Sequence, residues 1–455
     1  MKCKALVGKH LIALVTALVF FAGAHRSADA RSYVTDTEIE FYIRELSTPV
    51  FQTAGLSPSA IDLYFINDDT LNAFVAGGQN IFFHTGLLMA TETPEQLLGV
   101  IAHETGHIAG GHLARTGEAL RNASQNALLG LILGAGAALA TGRGDAAGAI
   151  IQGSQAAVQD SLLSYSRTQE SAADQAAIRY LDANRESSRG MLEFLSTLSG
   201  QELLSGRSRS PYASTHPLTQ DRINFVEAHV AQSPYSDDKL PEELQIKHRR
   251  MVAKLKGFIR SPARTFRDYD ESDMSLEARY ARAIANYRLP DLKKAIVLVD
   301  DLLKDHPDDP YFHELKGQIL FEGGRPAEAE KAYRKAHELL PEAPRIQLEF
   351  SRVLLALGTP QGNVEAQENL ERVVQELPRS TFAWRQLAIA YGKNGDHGMS
   401  ALALAEEAYR SGRERDAALQ ANRAKQKLQP NTEAWLRATD IEQLSTPRDR
   451  DRKTR

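Results

Sequence analysis

Beyond Ser275 the chain repeats itself with a period of about 34 residues, and that period constrains the fold more than any other feature. Residues 310–343 carry the pattern most fully, with Gly317, Ala329, Tyr333, Ala336 and Pro341 where small, aromatic and helix-ending residues are needed. The preceding unit has Ala283, Ala295 and Pro307 in the same register. The following one has Ala366 and Pro378, after a three-residue insertion around Pro360 to Asn363. Trp384, Leu387, Ala388 and Tyr391 open a further unit that ends with Ala417 or Ala418 and Pro430. Small residues let paired helices nearly touch and the prolines stop each second helix, so the spacing predicts stacked antiparallel helix pairs. Trp435 and the helix around it are expected to cap the stack.

Four or more such units resemble the tetratricopeptide repeat family; the alternative is a generic antiparallel helical bundle. The opposite end of the chain reads differently. Lys2, Lys4 and Lys9 precede an apolar run from Leu11 to Ala24, and Ala28-Asp29-Ala30 is a small-x-small cleavage signal. That order predicts a secretory signal peptide over residues 1–30, since the 14 apolar residues of the run fall short of the roughly 20 needed to span a bilayer. Cleavage removes four basic side chains and one acidic one, turning a net charge of −4 into −7. The basic residues are scattered, so no nucleic-acid partner is expected. Cys3 is the only cysteine and leaves with the signal peptide, which excludes thiolate metal sites and cysteine catalysis in the exported chain.

Between these ends, Ile39, Tyr42, Ile43 and Leu46 predict a helix within residues 36–60. Residues 61–66 and 81–84 are short β-prone runs, with Gly77-Gly78-Gln79-Asn80 read as the turn between them and a small, partly exposed sheet as the result. A helix should then start with Thr93 as N-cap and Pro94 at its first position, with Gln96 closing a capping box, and run to about Arg115. Ala127 to Ala140 is apolar all round, too short to span a bilayer, and is read as a lid over a cleft or a membrane-contacting loop, the lid being preferred. A further helix is expected over about 155–182, and a long Ser/Gly/Arg loop over 200–220. One helix, Glu242–Ile259, is expected in the polar stretch that follows.

The strongest chemical signal is His103-Glu104-Thr105-Gly106-His107 in the middle of the helix that Pro94 opens. Residues four apart share a helix face, so His103 and His107 can bind one ion while Glu104 reaches a water on it, a zincin arrangement. A catalytic zinc usually takes three protein ligands. Ten residues after His103 stands Leu113, so the metzincin pattern fails, and His112 is one residue out of register. A carboxylate on a later helix is the alternative, with Glu170 the best candidate. Asp174, one turn on, can accept a hydrogen bond from a ligand imidazole and fix its tautomer. His84 and His112 are read as structural or supporting residues.

With Ser214-Thr215-His216-Pro217, Arg222, Asn72-Ala73-Phe74 and Gly86-Leu87-Leu88, these residues resemble zinc peptidases of the HtpX and Oma type, and among them the BepA-like periplasmic proteases. The resemblance implies an α+β, mainly helical zincin domain with a small sheet, followed by an all-α tetratricopeptide-repeat solenoid. The expected divisions are a signal peptide at 1–30, the metallopeptidase domain at 31–232, a linker with one helix at 233–274, the repeats at 275–444 and a disordered tail at 445–455. The activity implied is that of an exported endopeptidase with one Zn2+ per chain, held by His103, His107 and Glu170, with Glu104 as the base. Its substrates would be unfolded or misassembled envelope proteins, and its repeats would contact the outer-membrane β-barrel assembly machinery. It would work in the periplasm, associated with the outer membrane or in peripheral contact with it. By the same resemblance His216 is a regulatory fourth ligand. On chemical grounds it could instead stabilise an oxyanion, or merely pack beside Pro217. Arg222 is expected to tie its helix to the catalytic domain. The strand around Ile81 to His84 is expected to offer a free edge to an extended substrate. The competing function is a repeat-based chaperone or scaffold whose metal site is latent and capped by His216.

Overall fold

The computed structural model describes residues 33–115, 166–205 and 216–446. The expected signal peptide, the Ala127–Ala140 run, residues 206–215 with Ser214 and Thr215, and the tail from 447 onward lie outside the described residues, while residues 200–205 of the expected 200–220 loop are helical instead. Strand β1 (Tyr33–Val34) leads into helix α1 (Thr37–Thr53), which starts where Asp36 accepts a hydrogen bond from the Ile39 N–H at 3.0 Å. Its apolar stripe, Ile39, Tyr42, Ile43, Leu46, Val50 and Phe51, is buried.

Three more strands complete a four-stranded sheet, β2 (Asp62–Ile66), β3 (Ala73–Ala76) and β4 (Asn80–His84), in the order β1-β2-β4-β3. The glycine turn joins β3 to β4, and β2 runs parallel to β4 with Leu63 opposite Ile81. The expectation of a turn joining 61–66 to 81–84 is therefore corrected, because the intervening Ala73–Ala76 forms a strand of its own. A second correction follows: β4 is flanked on both sides, so it has no free edge, and among the described residues β3 pairs only with β4. Phe65, Ile81 and Phe83 face the core, while Tyr64, Phe82 and Phe74 stack on the outer face with ring centroids 4.8 and 5.0 Å apart.

Helix α2 (Thr85–Ala90) follows β4, and α3 (Pro94–Ala109) carries the two histidines. At the α3 cap Thr93 accepts from the Gln96 N–H at 3.3 Å as expected, but Gln96 Oε1 takes the Glu92 N–H at 2.9 Å, one residue before the donor that a capping box would use. Instead of continuing unbroken to Arg115, α3 ends at Ala109, because Gly110 and Gly111 form a turn in which Gly111 takes a φ of +62°, and residues 112–115 are helical again beyond it. Helix α4 (166–183), α5 (Arg189–Ser205) and α6 (Gln220–Val230) complete the first core. Among the described residues no helix is long and apolar enough to cross a membrane.

The stretch 233–274 holds two helices, not one: α7 (Glu242–Ile259) and α8 (Pro262–Asp268). Nor does α7 act as a spacer, since Met251 and Leu255 sit in the first core while Phe258 packs against the first repeat. After it come five helix pairs: α9 (Leu276–Arg288) with α10 (Leu292–Asp305), α11 (Pro310–Glu322) with α12 (Pro326–Leu339), α13 (Pro344–Leu357) with α14 (Pro360–Glu376), α15 (Thr381–Lys393) with α16 (His397–Arg410), and α17 (Glu414–Lys425) with α18 (Glu433–Ser445). The three inserted residues do not lengthen a loop; they make α14 a helix of 17 residues where α12 has 14. Helix α18, with Trp435, closes the stack by packing Ala438 and Ile441 on the alanines of α17.

Gly317 shows why the repeat needs small residues. A Cβ there would lie 2.5 Å from the ring of Tyr333, itself only 2% exposed and unable to retreat. Gly317→Ala should therefore destabilise the array by about 1–3 kcal/mol, the usual cost of overpacking. Thermal denaturation followed by circular dichroism should show a lowered Tm, and an unchanged Tm would mean that the pair relaxes at no cost.

Candidate metal centre

Four side chains from three elements converge. His103 and His107 lie one turn apart on α3, Glu170 comes from α4, and His216 precedes α6. One ligand atom from each lies within 4.8 Å of all the others. His103 Nε2 and His107 Nε2 are 3.1 Å apart, and Glu170 oxygens stand 3.3 and 3.4 Å from them. His216 Nδ1 is 3.2 Å from both Glu170 oxygens and 3.3 Å from His103 Nε2. The sequence-expected trio is thus brought together, and His216 stands among it.

The helices meet closely enough for this because α3 has a glycine at the contact. A Cβ on Gly106 would lie 2.8 Å from the carbonyl oxygen of Ala173, so α3 and α4 touch through backbone. Behind the ligand atoms, Asp174 Oδ1 lies 2.8 Å from His103 Nδ1, the geometry that presents Nε2 to the cluster. Arg222 from α6 clamps Asp174 with two hydrogen bonds, donated by Nε at 2.6 Å and Nη2 at 2.9 Å. Its Nη1 also lies 2.9 Å from Glu170 Oε2, so it joins both carboxylates as well as tying its helix in place. His112, brought back by the turn at Gly111, sets its Nδ1 3.0 Å from His107 Nδ1 and backs the second imidazole as Asp174 backs the first. The sequence reading left His112 without this partner; its signal is the Gly110-Gly111 pair that permits the turn. His84 is buried on β4 with Thr70 Oγ1 2.8 Å away, apart from the cluster.

Charge supplies the test of whether a cation fits. Glu104, Glu170 and Asp174 are all buried, and Arg222 is the guanidinium that answers them. With the imidazoles neutral, the set carries −2, the charge one divalent cation cancels. Glu104 is completely buried and neither of its oxygens has a hydrogen-bond partner, the nearest imidazole atom being His216 Nε2 at 3.4 Å. An unanswered buried carboxylate is costly, so the arrangement suits a site that holds a cation and admits a water. The residues therefore fit a divalent metal with imidazole and carboxylate ligands.

The titration behaviour agrees. Burial pushes the Glu170 carboxyl up, but the contacts with His103, His107 and His216 outweigh it and hold it far below the usual carboxylate range. Burial is likewise overcome at Asp174, which Arg222 and His103 hold at about 2. His103, against its burial, is carried up to about 10 by Asp174 and Glu170. A cation at Nε2 would take the place of that proton. Burial lowers His107, and burial together with His107 lowers His112 to about 4, which favours the neutral form of both and leaves His107 able to act as a ligand.

With this geometry in view, residues 36–230 match the model of Peptidase family M48. The chain is similar to the Beta-barrel assembly-enhancing protease of Yersinia pestis, 25% identical over 397 residues that cover 84% of this chain and 78% of that one. It is similar also to the protein of the same name from Escherichia coli (strain K12), 24% identical over 361 residues, 78% of this chain and 72% of that one. The Mitochondrial metalloendopeptidase OMA1 of Schizosaccharomyces pombe is 33% identical over 73 residues, 16% of this chain and 22% of that one. These agree with the resemblance carried by the motifs.

Asp174→Asn keeps the shape but loses the charge that orients His103. Metal affinity, read by calorimetric titration of the metal-stripped protein, should fall about 10–100-fold while the far-ultraviolet spectrum is unchanged. Undiminished affinity would remove Asp174 from the centre.

Proposed function

We propose that this chain, a metalloprotease whose residues 36–230 match the model of Peptidase family M48, is an exported, zinc-dependent endopeptidase of envelope quality control. The observation that carries the reading is Glu104, fully buried, free of hydrogen bonds, and adjoining a cluster of two imidazoles and a carboxylate. His103, His107 and Glu170 would hold the zinc. When bound, the ion supplies Lewis acidity, polarising a carbonyl and lowering the pKa of a water towards about 7. Glu104 takes the proton of the attacking water and delivers it to the departing amine, so that the C–N bond breaks to leave a carboxylate and an amine. Extended polypeptide would add to the edge of β3 that no strand among the described residues covers, β3 itself packing against α3. An unfolded chain can supply such a strand; a folded one cannot.

The names of the relatives support β-barrel assembly as the setting, with misassembled envelope proteins as substrates and the repeats contacting the assembly machinery. The basic-apolar-small order of residues 1–30 supports export to the periplasm. His216 supports a second reading of the same site. Its Nδ1 stands among the ligand atoms and its Nε2 faces Glu104, so it would cap both metal and base and keep the enzyme latent until it is displaced.

Cleavage of casein by the zinc-loaded chain tests the reading. Glu104→Gln should lower the rate at least about a hundredfold, and a chelator should abolish it. Equal cleavage by wild type and variant would assign the activity to a contaminant and end the proposal. His216→Ala should raise the rate if the cap reading holds and lower it if His216 stabilises an oxyanion. Zinc bound with no cleavage by either His216 form would favour the scaffold.

A further inference from the structure

Away from the metal centre, a cavity of about 490 Å3 lies on the seam between the peptidase domain and the repeats. Thr35, Asp36 and Lys254 wall it on one side, and residues of α11, α12, α13 and α15 on the other. Among the described lining residues four carboxylates face three cations. Each cation is already answered: Lys254 lies 2.7 Å from Asp36, Arg345 lies 3.3 Å from Glu40, and Arg352 pairs with Glu349. Glu322 accepts hydrogen bonds from the Tyr287 hydroxyl and from Gln318. Glu314 alone among these carboxylates has no hydrogen-bond or ion-pair partner among the described residues.

The rest of the wall is aromatic where a cation would need it. Tyr311, Phe321 and Phe382 line the cavity, and Phe382 is 41% exposed. The guanidinium of Arg352 already rests 5.5 Å from the Phe321 centroid and 5.1 Å from that of Phe382, so these rings accept a cation within the protein itself. Burial, against the pull of Lys254, pushes the Glu314 carboxyl up to about 8, with Asp36, Glu38 and Glu349 adding to the rise. A cation beside it would restore its charge.

We propose that this cavity binds a basic side chain of a polypeptide partner, its ammonium or guanidinium on Glu314 and its methylene stem along Tyr311, Phe321 and Phe382. A bare metal ion would want several free carboxylates, and the cavity offers one; an acidic or purely apolar side chain would leave Glu314 unanswered. The inference does not depend on the peptidase reading, because it concerns binding alone.

The test is fluorescence anisotropy of a labelled, unstructured Lys-Ser peptide with the full chain, the probe being checked by mass spectrometry to be intact. Its lysine-acetylated form and a Glu-Ser peptide serve as comparators. The Lys-Ser peptide should bind and the other two should not. Glu314→Gln should weaken binding about tenfold, the loss of one partly desolvated ion pair, and Phe382→Ala severalfold. Equal binding of the acetylated peptide, or unchanged binding by a folded Glu314→Gln protein, overturns the proposal. If Glu314→Gln fails to fold, Phe382→Ala decides, since Phe382 is substantially exposed: unchanged binding there rejects the cavity as the site.

Discussion

The backbone contact between α3 and α4 is the constraint on which the chemistry depends. His103 and His107 belong to one helix and Glu170 and Asp174 to the other, so ligand distances near 3 Å require the two axes to come unusually close. Gly106 permits this by carrying nothing where the Ala173 carbonyl oxygen sits. The x positions of the His-Glu-x-x-His pattern are often treated as free. Here one of them sets the separation between the helix that presents imidazoles and the helix that presents carboxylates. Arg222 then ties α6 to both acids, so three helices are held by charge as well as by packing.

Much of this was legible in the sequence because its causes are local. The Thr93 cap, the four-residue spacing of the histidines, the one-turn spacing of Glu170 and Asp174, and the small and helix-ending positions of the repeats each depend on neighbours within a turn or two. What escaped depends on partners far away in the chain. Ala73–Ala76 is too short and too plain to announce a strand, and the parallel pairing of β2 with β4 is decided across the sheet. The role of His112 depends on the break in the helix at Gly110-Gly111, and that of Arg222 on where α6 docks. The polar composition of 233–274 suggested a linker, yet Arg250 and Lys254 within it are paired inside the structure.

Those charges form a network across the seam. Glu38 of α1 takes Arg250 at 2.8 Å, Lys254 at 3.2 Å and the Tyr280 hydroxyl at 2.9 Å, while Arg250 also reaches Asp309 at 2.5 Å. Buried ions of this kind gain little net stability against their desolvation, but losing one partner leaves the others unanswered. Their geometric demand fixes α1 against the first two repeats.

Because α7 gives Met251 and Leu255 to one core and presses Gly257 and Phe258 on the other, neither half possesses a complete set of walls without it. A break in the chain on either side of α7 would strip one half of a helix it needs. The peptidase half and the repeats accordingly share one helix as a common wall instead of meeting as two finished surfaces.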